Sequence, residues 1–184
     1  MLRLQLRDSR RALAVKTPDA PERAAGLIPP DLLKRPGVIA GYRAVGAEFD
    51  PWPVMQAFAK AGARLALPVG TGETSPLVFR AWAEGDALAP DTFGIPAPTP
   101  DAPVVEPDLI LAPLLAFDRR GGRIGQGGGH YDRTLEALRA RRPVFVLGLA
   151  YAGQEVASIP LEAHDQRLDA ILTEKGYIEA SKDP

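Results

Sequence analysis

The chain has 184 residues, of which 46% are hydrophobic, and its formal net charge is -1. This length and composition predict one domain with a substantial core, over residues 1–184. Near-neutral charge argues against nucleic acid as the main partner, and the lack of cysteine excludes disulfide bonds and thiolate zinc sites. Only His130 and His164 could supply imidazole ligands, which are too few for a typical zinc enzyme.

The apolar runs of the chain indicate where the protein resides. None of them approaches the length needed to span a membrane, so no membrane partner is expected. The arginine-rich start, residues 1–16, lacks the apolar block of a secretory signal. We therefore expect the cytoplasm, with a short organellar presequence as the alternative, and a monomer or a small homo-oligomer.

Hydrophobic periodicity predicts a helix at the start of the chain. Leu2, Leu6 and Leu13 give this helix an apolar face, and arginines spaced four apart from Arg3 to Arg11 give it a second, charged face. A strand is predicted next, at residues 38–42. It is followed by a helix at residues 51–61, with Asp50 as N-cap and Pro51 at its first position, and by two strands at residues 65–69 and 77–82.

The second half of the chain alternates in the same way after a proline-rich stretch. Residues 90–107 carry six prolines in eighteen positions and are therefore not a helix. A strand at residues 108–117 and a helix at residues 131–142 are predicted, followed by a buried strand at residues 143–150 and a last strand at residues 168–173. Alternating strands and helices favour a three-layer α/β/α fold with a mostly parallel sheet.

A glycine run is the most informative motif of the chain. Six of the nine residues from Gly121 to Gly129 are glycine, and the run lies between a predicted strand and a predicted helix. Glycines let the backbone approach an anion, and the amides at the helix start point at it with the helix dipole behind them. The run is neither a Walker loop nor a dinucleotide-binding fingerprint. It predicts a phosphate site of a less common kind, with a flexible hairpin as the alternative.

The segment AFDRRGGRIGQGGGHYDR, residues 116–133, resembles the signature of the 5-formyltetrahydrofolate cyclo-ligase (5,10-methenyltetrahydrofolate synthetase) family. The similarity continues into residues 162–172 and residues 42–50, and so spans most of the chain. Gln126 and His130 depart from the residues usual in the family. The positions that fit the central pattern are Phe117, Asp118, Gly121, Arg123, Gly125, Gly127, Gly129, Tyr131 and Asp132.

The resemblance implies a nucleotide site built around the glycine run. For Arg3 and Arg7 the alternative is a solvated arginine face, and for Arg123 it is a surface charge. Arg123 and Asp132 are implied to be catalytic. The residues implied to bind ATP are Arg3, Arg7, Arg123, Ile124, Gly125, Gln126, Gly127, Gly128, Gly129, His130 and Tyr131.

Two aspartates are candidates for Mg²⁺. Asp132 follows the glycine run, where a carboxylate is either a partner of the helix dipole or a ligand that bridges to phosphate through Mg²⁺. Asp169 lies in an apolar stretch, where a carboxylate is costly to bury unless it is paired or metal-bound. Strand alternation alone could equally place Asp169 in solvent. The resemblance implies that Asp132 and Asp169 hold the metal together.

The resemblance also implies a folate site, formed by Arg43, Glu48, Phe93, Gln126 and His130. A glutamate is suited to accept hydrogen bonds from the ring donors of a pterin. The aromatic in the proline-rich stretch would form part of a lid, for which a stiff connector is the alternative. The histidine either replaces an aromatic residue or reaches a phosphate.

Together these features lead to three hypotheses. The first is ATP- and Mg²⁺-dependent conversion of 5-formyltetrahydrofolate to 5,10-methenyltetrahydrofolate, as the resemblance implies. The second is a related enzyme that uses the same ATP site on another formamide or on a carboxylate. The third is a non-catalytic nucleotide- or folate-binding module, against which the metal-binding aspartates argue.

Overall fold

The computed structural model describes residues 1–181. Its first third contains four helices and one strand: α1 (Leu2–Lys16), α2 (Ala20–Ala25), α3 (Pro30–Leu33), β1 (Val38–Ala40) and α4 (Trp52–Lys60). Four strands follow: β2 (Arg64–Val69), β3 (Val78–Ala81), β4 (Leu88–Pro90) and β5 (Pro96–Pro98). The remainder comprises β6 (Leu109–Pro113), β7 (Ala116–Phe117), β8 (Arg123–Ile124), α5 (His130–Arg139), β9 (Phe145–Leu149), a 3₁₀ turn (Ala152–Gln154), β10 (Ala170–Thr173) and β11 (Gly176–Glu179).

A seven-stranded sheet organises the molecule, in the order β11-β10-β9-β6-β1-β2-β3. The five central strands are parallel, whereas β3 and β11 pair antiparallel at the two edges. Two small antiparallel hairpins, β4-β5 and β7-β8, lie outside this sheet. The mostly parallel sheet predicted from the sequence is therefore confirmed.

Alternation along the central strands sends apolar side chains to both faces of the sheet. Leu109 and Leu111 belong to one core cluster, which contains residues of α2 and α4 and contacts α1. Ile110 and Ala112, between them in sequence, belong to a second cluster that includes residues of α5. Each buried leucine or isoleucine contributes roughly 1.5–3 kcal/mol of transfer free energy. Helices thus cover both faces, which confirms the three-layer α/β/α arrangement.

Several boundaries differ from the sequence prediction. Helix α4 begins at Trp52, one residue later than predicted, with Pro51 in the N-cap position. Asp50 still acts at this end, since its Oδ1 accepts the Trp52 N–H at 3.0 Å. The proline-rich stretch contains no helix, as predicted, but it carries β5 and the turn between β4 and β5. Helices α2 and α3 and strands β4, β5, β8 and β11 were not predicted, and the strand predicted at residues 108–117 is divided into β6 and β7.

The parallel strands define two edges with different contents. The carboxyl ends of β1, β2 and β6 lead into Gly41, Gly70 and Leu114, and open sheets of this type bind ligands at that edge. The amino ends of β6 and β10 follow Asp108 and Asp169 directly. Within residues 1–181, no helix is long and apolar enough to cross a membrane.

Candidate functional site

A cavity of about 540 Å³ opens at the carboxyl edge of the sheet. Its volume lies within the range of small-molecule sites, which is roughly 300–1,000 Å³. Its walls come from α1, the segment after β1, the end of β2, the β4-β5 hairpin, the glycine run and the loop before β10. They include Arg3, Arg43, Glu48, Phe93, the whole segment Arg123–Asp132, and Asp165. Most residues implied to bind ATP or folate therefore face one space.

The glycine run has two structural parts. Gly121 and Gly122 lie in the turn of the β7-β8 hairpin. Residues 125–129 connect β8 to α5 and line the cavity. Gly129 is the N-cap of α5 with φ at +65°, a left-handed conformation that favours glycine. The second part is thus a glycine loop that ends at a helix N-terminus, as a phosphate site requires.

Asp118 holds the hairpin turn in place from within the protein. Its carboxylate accepts the N–H groups of Arg120 and Gly122 at 2.9 Å and that of Ile159 at 2.8 Å. Burial opposes ionisation of Asp118, but these three hydrogen bonds and nearby Arg120 keep its pKa below the usual range. One charged side chain therefore ties the glycine hairpin to the loop before β10, which also lines the cavity.

Helix α1 lies against the glycine loop through two of its arginines. Arg3 Nε donates to the Gly125 carbonyl at 3.2 Å, and Arg7 Nε donates to Gln126 Oε1 at 2.9 Å. Arg11 behaves differently, because its side chain is 75% exposed and pairs only with Asp8 within the described residues. Arg3 and Arg7 are exposed, like Arg11, but unlike Arg11 they contact the glycine loop.

Arg123 and Asp132 are in direct contact at the cavity wall. The Arg123 side chain is only 6% exposed, so the surface-charge alternative does not hold. Its Nη2 donates to Asp132 Oδ1 at 2.7 Å, and its Nη1 donates to the Gln166 carbonyl. The Gln166 N–H donates back to Asp132 Oδ1 at 3.0 Å. Since Asp132 lies in the first turn of α5, it also faces the positive end of the helix dipole.

Glu48 presents a carboxylate to the same cavity from the segment after β1. Its Oε2 accepts the Val45 N–H at 3.0 Å, and Gln126 Nε2 donates to its Oε1 at 3.4 Å. Burial, followed by the charge of Glu48, raises the pKa of both Tyr42 and Tyr131. Both phenols therefore remain neutral, and Tyr42 donates to the Phe49 carbonyl at 2.6 Å.

The β4-β5 hairpin brings an aromatic side chain over the glycine loop. The ring centroids of Phe93 and His130 are 4.9 Å apart and tilted by 59°. Asp91 fixes the hairpin tip, because its carboxylate accepts N–H groups of Gly70, Phe93 and Ile95 at 2.8–3.0 Å. His130 thus packs as an aromatic residue would, and Phe93 forms a wall of the cavity, as the lid hypothesis requires.

Asp169 does not lie at this cavity, which corrects the expected pairing with Asp132. Asp169 accepts Arg139 Nη2 at 3.0 Å and the Val146 N–H at 2.8 Å, at the amino ends of the strands. Asp132 lines the cavity and Asp169 does not, so the structure does not bring the two carboxylates together there.

Asp165 takes the place at the cavity that sequence reasoning assigned to Asp169. It lines the same wall as Asp132, and the next residue, Gln166, is hydrogen-bonded to Asp132. The signal was present in the sequence, since both aspartates belong to the acidic segment of residues 162–172. Across residues 1–181, no group of three or more His, Asp or Glu side chains is arranged to hold a metal.

Arg133 is a second residue that sequence reasoning missed. Its Nη2 donates to the carbonyls of Gly128 at 2.7 Å and Glu73 at 2.8 Å. It therefore joins the glycine loop to the loop between β2 and β3. It is the last residue of the segment that resembles the family signature, and only that position could have indicated this role.

The parallel sheet, the glycine loop before α5 and the cavity at the carboxyl edge together define a ligand-binding α/β enzyme fold. A model of the 5-formyltetrahydrofolate cyclo-ligase family matches residues 1–174. The chain is 33% identical over 150 residues to the 5-formyltetrahydrofolate cyclo-ligase of Mycolicibacterium smegmatis, covering 77% of this chain and 76% of that one. It is also 33% identical over 140 residues to the cyclo-ligase of Escherichia coli, covering 73% and 76%.

Two solved structures share this fold. The 5,10-methenyltetrahydrofolate synthetase of Aquifex aeolicus superposes with a TM-score of 0.73 at 27% identity, covering 100% of this chain and 95% of that chain. The corresponding enzyme of Mycoplasma pneumoniae has a TM-score of 0.70 at 21% identity, covering 94% and 96%. The chain belongs to the 5-formyltetrahydrofolate cyclo-ligase family, and it is therefore a ligase.

Proposed function

We propose that the chain converts 5-formyltetrahydrofolate to 5,10-methenyltetrahydrofolate in an ATP- and Mg²⁺-dependent reaction that releases ADP and phosphate. Family membership supports this proposal, as does one structural observation. A single cavity combines a glycine loop and Arg123, suited to phosphate, with Glu48 and Phe93, suited to a flat heterocycle that carries hydrogen-bond donors.

The reaction needs an activated formyl oxygen, because an amide-like oxygen is a poor leaving group. In the proposed first step this oxygen attacks the γ-phosphorus of ATP, and ADP leaves. Nitrogen-10 of the folate then attacks the formyl carbon and loses its proton, and the carbon–oxygen bond breaks to release phosphate. No nucleophilic side chain is required, so the protein acts by positioning and by stabilising charge.

Each part of the cavity has a task in this reaction. The amides of residues 125–129 and the N-terminus of α5 bind phosphate oxygens, and Arg123 neutralises the charge that spreads over the transferred group. Arg3 and Arg7 hold the loop against α1 and add positive charge beside it. Glu48, Phe93 and Arg43 bind the folate, with Gln126 and His130 at the boundary between the two ligands.

The carboxylates at the cavity fit Mg²⁺ in its usual protein environment. Mg²⁺ prefers one or two carboxylates together with phosphate oxygens and water. Asp132 and Asp165 both line the wall beside the glycine loop, and they are the residues that would hold the ion. When bound, Mg²⁺ would neutralise charge on the phosphates of ATP.

Appearance of the methenyltetrahydrofolate absorbance tests the proposal. It should require the protein, ATP, Mg²⁺ and 5-formyltetrahydrofolate together, and one ADP should form for each methenyl product. ATP hydrolysis that is indifferent to the folate would contradict it.

A related ligase that acts on another formamide or on a carboxylate is the second candidate. Gln126 and His130 favour it, because both line the cavity and both depart from the residues usual in the family. This candidate predicts ATP consumption with a different acceptor and none with 5-formyltetrahydrofolate. A non-catalytic module predicts binding without turnover of any acceptor, so ADP formation measured with 5-formyltetrahydrofolate and with other formamides and carboxylates separates all three.

A further inference from the structure

Arg10 on α1 is a buried arginine that none of the roles above uses. Only 5% of the residue is exposed, although it lies on a helix that is otherwise largely exposed. Its Nη1 lies 3.7 Å from Glu48 Oε1 and donates to the Leu114 carbonyl at 3.2 Å. Within the described residues its Nε has no hydrogen-bond partner, so its burial is incompletely compensated.

The energetics of this burial need a reason. Burial lowers the pKa of Arg10, and the Glu48 carboxylate acts in the opposite direction. Burying a guanidinium is expensive unless it is paired, and apolar residues of similar volume are often as stable as a buried ion pair. A leucine at this position would continue the apolar face of α1, so packing of the helix does not require an arginine here.

The arrangement of Glu48 supplies the reason. Its side chain is 10% exposed and lines the cavity, whereas Arg10 does not line it. The Val45 N–H and Gln126 Nε2 each use one acceptor position of the carboxylate. An ionised carboxylate has about four such positions, so acceptor capacity remains for a ligand.

We propose that Arg10 is a positioning residue for the folate half of the site, which holds the Glu48 carboxylate in place without touching the ligand. This inference rests on the proposed function, because it takes Glu48 as the folate contact. The effect of Arg10 on folate binding is then carried entirely by Glu48. A merely structural role, in which Arg10 ties α1 to the Leu114 carbonyl, predicts instead that both ligands are affected.

A double-mutant cycle tests this dependence. Equilibrium binding of 5-formyltetrahydrofolate and of a non-hydrolysable ATP analogue with Mg²⁺, each alone, is measured for the wild type, Arg10→Gln, Glu48→Gln and the double variant. We expect Arg10→Gln to weaken folate binding roughly 10- to 100-fold and nucleotide binding less than about 2-fold. In the Glu48→Gln background, Arg10→Gln should change folate binding less than about 3-fold.

Two further variants keep the test decisive. Arg11→Gln is the matched control, since Arg11 neighbours Arg10 on α1 but is exposed, and it should leave both affinities unchanged. Arg10→Lys keeps the charge and should recover part of the folate affinity. If Arg10→Gln does not fold, the double variant remains available, because it leaves no unpaired charge. Its folate affinity is then compared with that of Glu48→Gln, and the folate affinity of Arg10→Lys with that of the wild type.

The outcomes separate this inference from the proposed function. Equal losses for both ligands, or additive losses in the double variant, would overturn the role of Arg10 while leaving the cyclo-ligase proposal intact. A wild-type protein that binds the nucleotide but no 5-formyltetrahydrofolate would overturn both.

Discussion

Arg123 and Asp132 form a hydrogen-bonded ion pair, with Nη2 of the arginine 2.7 Å from Oδ1 of the aspartate. The cation assigned to the phosphoryl group and the carboxylate assigned to the metal therefore neutralise each other. The Gln166 backbone binds both of them, through its carbonyl and its N–H. Gln166 immediately follows Asp165, so the loop before β10 sets the geometry of this pair and contributes a second carboxylate beside it.

This geometry predicts which aspartates affect the Mg²⁺ requirement. Asp132→Asn and Asp165→Asn should each raise the Mg²⁺ concentration for half-maximal activity on the order of 10- to 100-fold and lower kcat, because each removes a charged ligand. The double variant should be little worse than the single ones, since both serve one ion. Steady-state kinetics over a range of Mg²⁺ concentrations measures this.

Asp169→Asn is the matched control for that series. Asp169 pairs with Arg139 away from the cavity, so its substitution should cost about 1 kcal/mol of unfolding free energy and leave the Mg²⁺ requirement unchanged. A shifted Mg²⁺ requirement in Asp169→Asn, with none in Asp165→Asn, would reinstate the pairing expected from the sequence.

The two halves of the cavity should respond separately to substitution. Glu48→Gln keeps the shape of the side chain but removes the charged acceptor, which is worth roughly 1.5–3 kcal/mol. Folate affinity should fall on the order of 10- to 150-fold, with nucleotide binding little changed. Equal weakening of the two ligands in titration calorimetry would refute the division.

Gly129→Ala should have the opposite selectivity. Its added methyl would lie 2.6 Å from Arg133 Nη1, at a backbone φ of +65° that costs an alanine roughly 1–2 kcal/mol. Nucleotide binding should weaken while folate binding remains nearly intact. Gly62→Ala is the control for backbone strain. Gly62 lies in the turn after α4 at a φ of +102°, and its added methyl would have no atom within 4 Å, so this variant reports the effect of strain alone.

Asp91 and Phe93 should act as a unit on folate binding. Phe93→Ala removes an aromatic contact worth roughly 0.5–1.5 kcal/mol, which corresponds to about a 2- to 10-fold rise in the KM for folate. Asp91→Ala removes the carboxylate that binds the N–H groups of the hairpin tip, so Phe93 loses its fixed position. The KM for folate should therefore rise although Phe93 is still present. Together the two changes should be less than additive, and strictly additive effects would show that Asp91 does not act through Phe93.

Asp118 predicts a specific dependence of stability on pH. Because its folded-state pKa lies below the unfolded value of about 3.9, its charge stabilises the native state above that pH, and this contribution is lost as the pH falls through the folded pKa. Asp118→Asn should cost roughly 1–3 kcal/mol at neutral pH, because three backbone N–H groups lose a charged acceptor.

Denaturant unfolding at a series of pH values checks this prediction. The difference in unfolding free energy between the wild type and Asp118→Asn should be constant near neutral pH and shrink below about pH 4. A difference that stays constant down to pH 2 would show that the carboxylate is not held ionised by these hydrogen bonds.

Local patterns were sufficient for most of the fold. Strands β2, β6, β9 and β10 are apolar runs bounded by turn or polar residues, and α1 and α5 have regular helical periodicity, so each was predicted to within a few residues. Helices α2 and α3 are six and four residues long, and helices this short depend on tertiary packing. Strand β11 is only partly buried and pairs at the sheet edge, which left it without a clear apolar signal.

The sequence by itself determined the glycine loop, the alternation that produces a parallel sheet, and the arginines that could reach the loop. Only the tertiary structure decided between residues with equivalent local patterns. Asp165 and Asp169 belong to one acidic segment, but β10 begins at Ala170, so Asp169 lies at the amino edge and Asp165 in the loop at the cavity. Arg10 and Arg11 are neighbours whose burial depends on the rotation of α1 against the sheet. Such choices depend on contacts between distant segments, which periodicity along the chain does not encode.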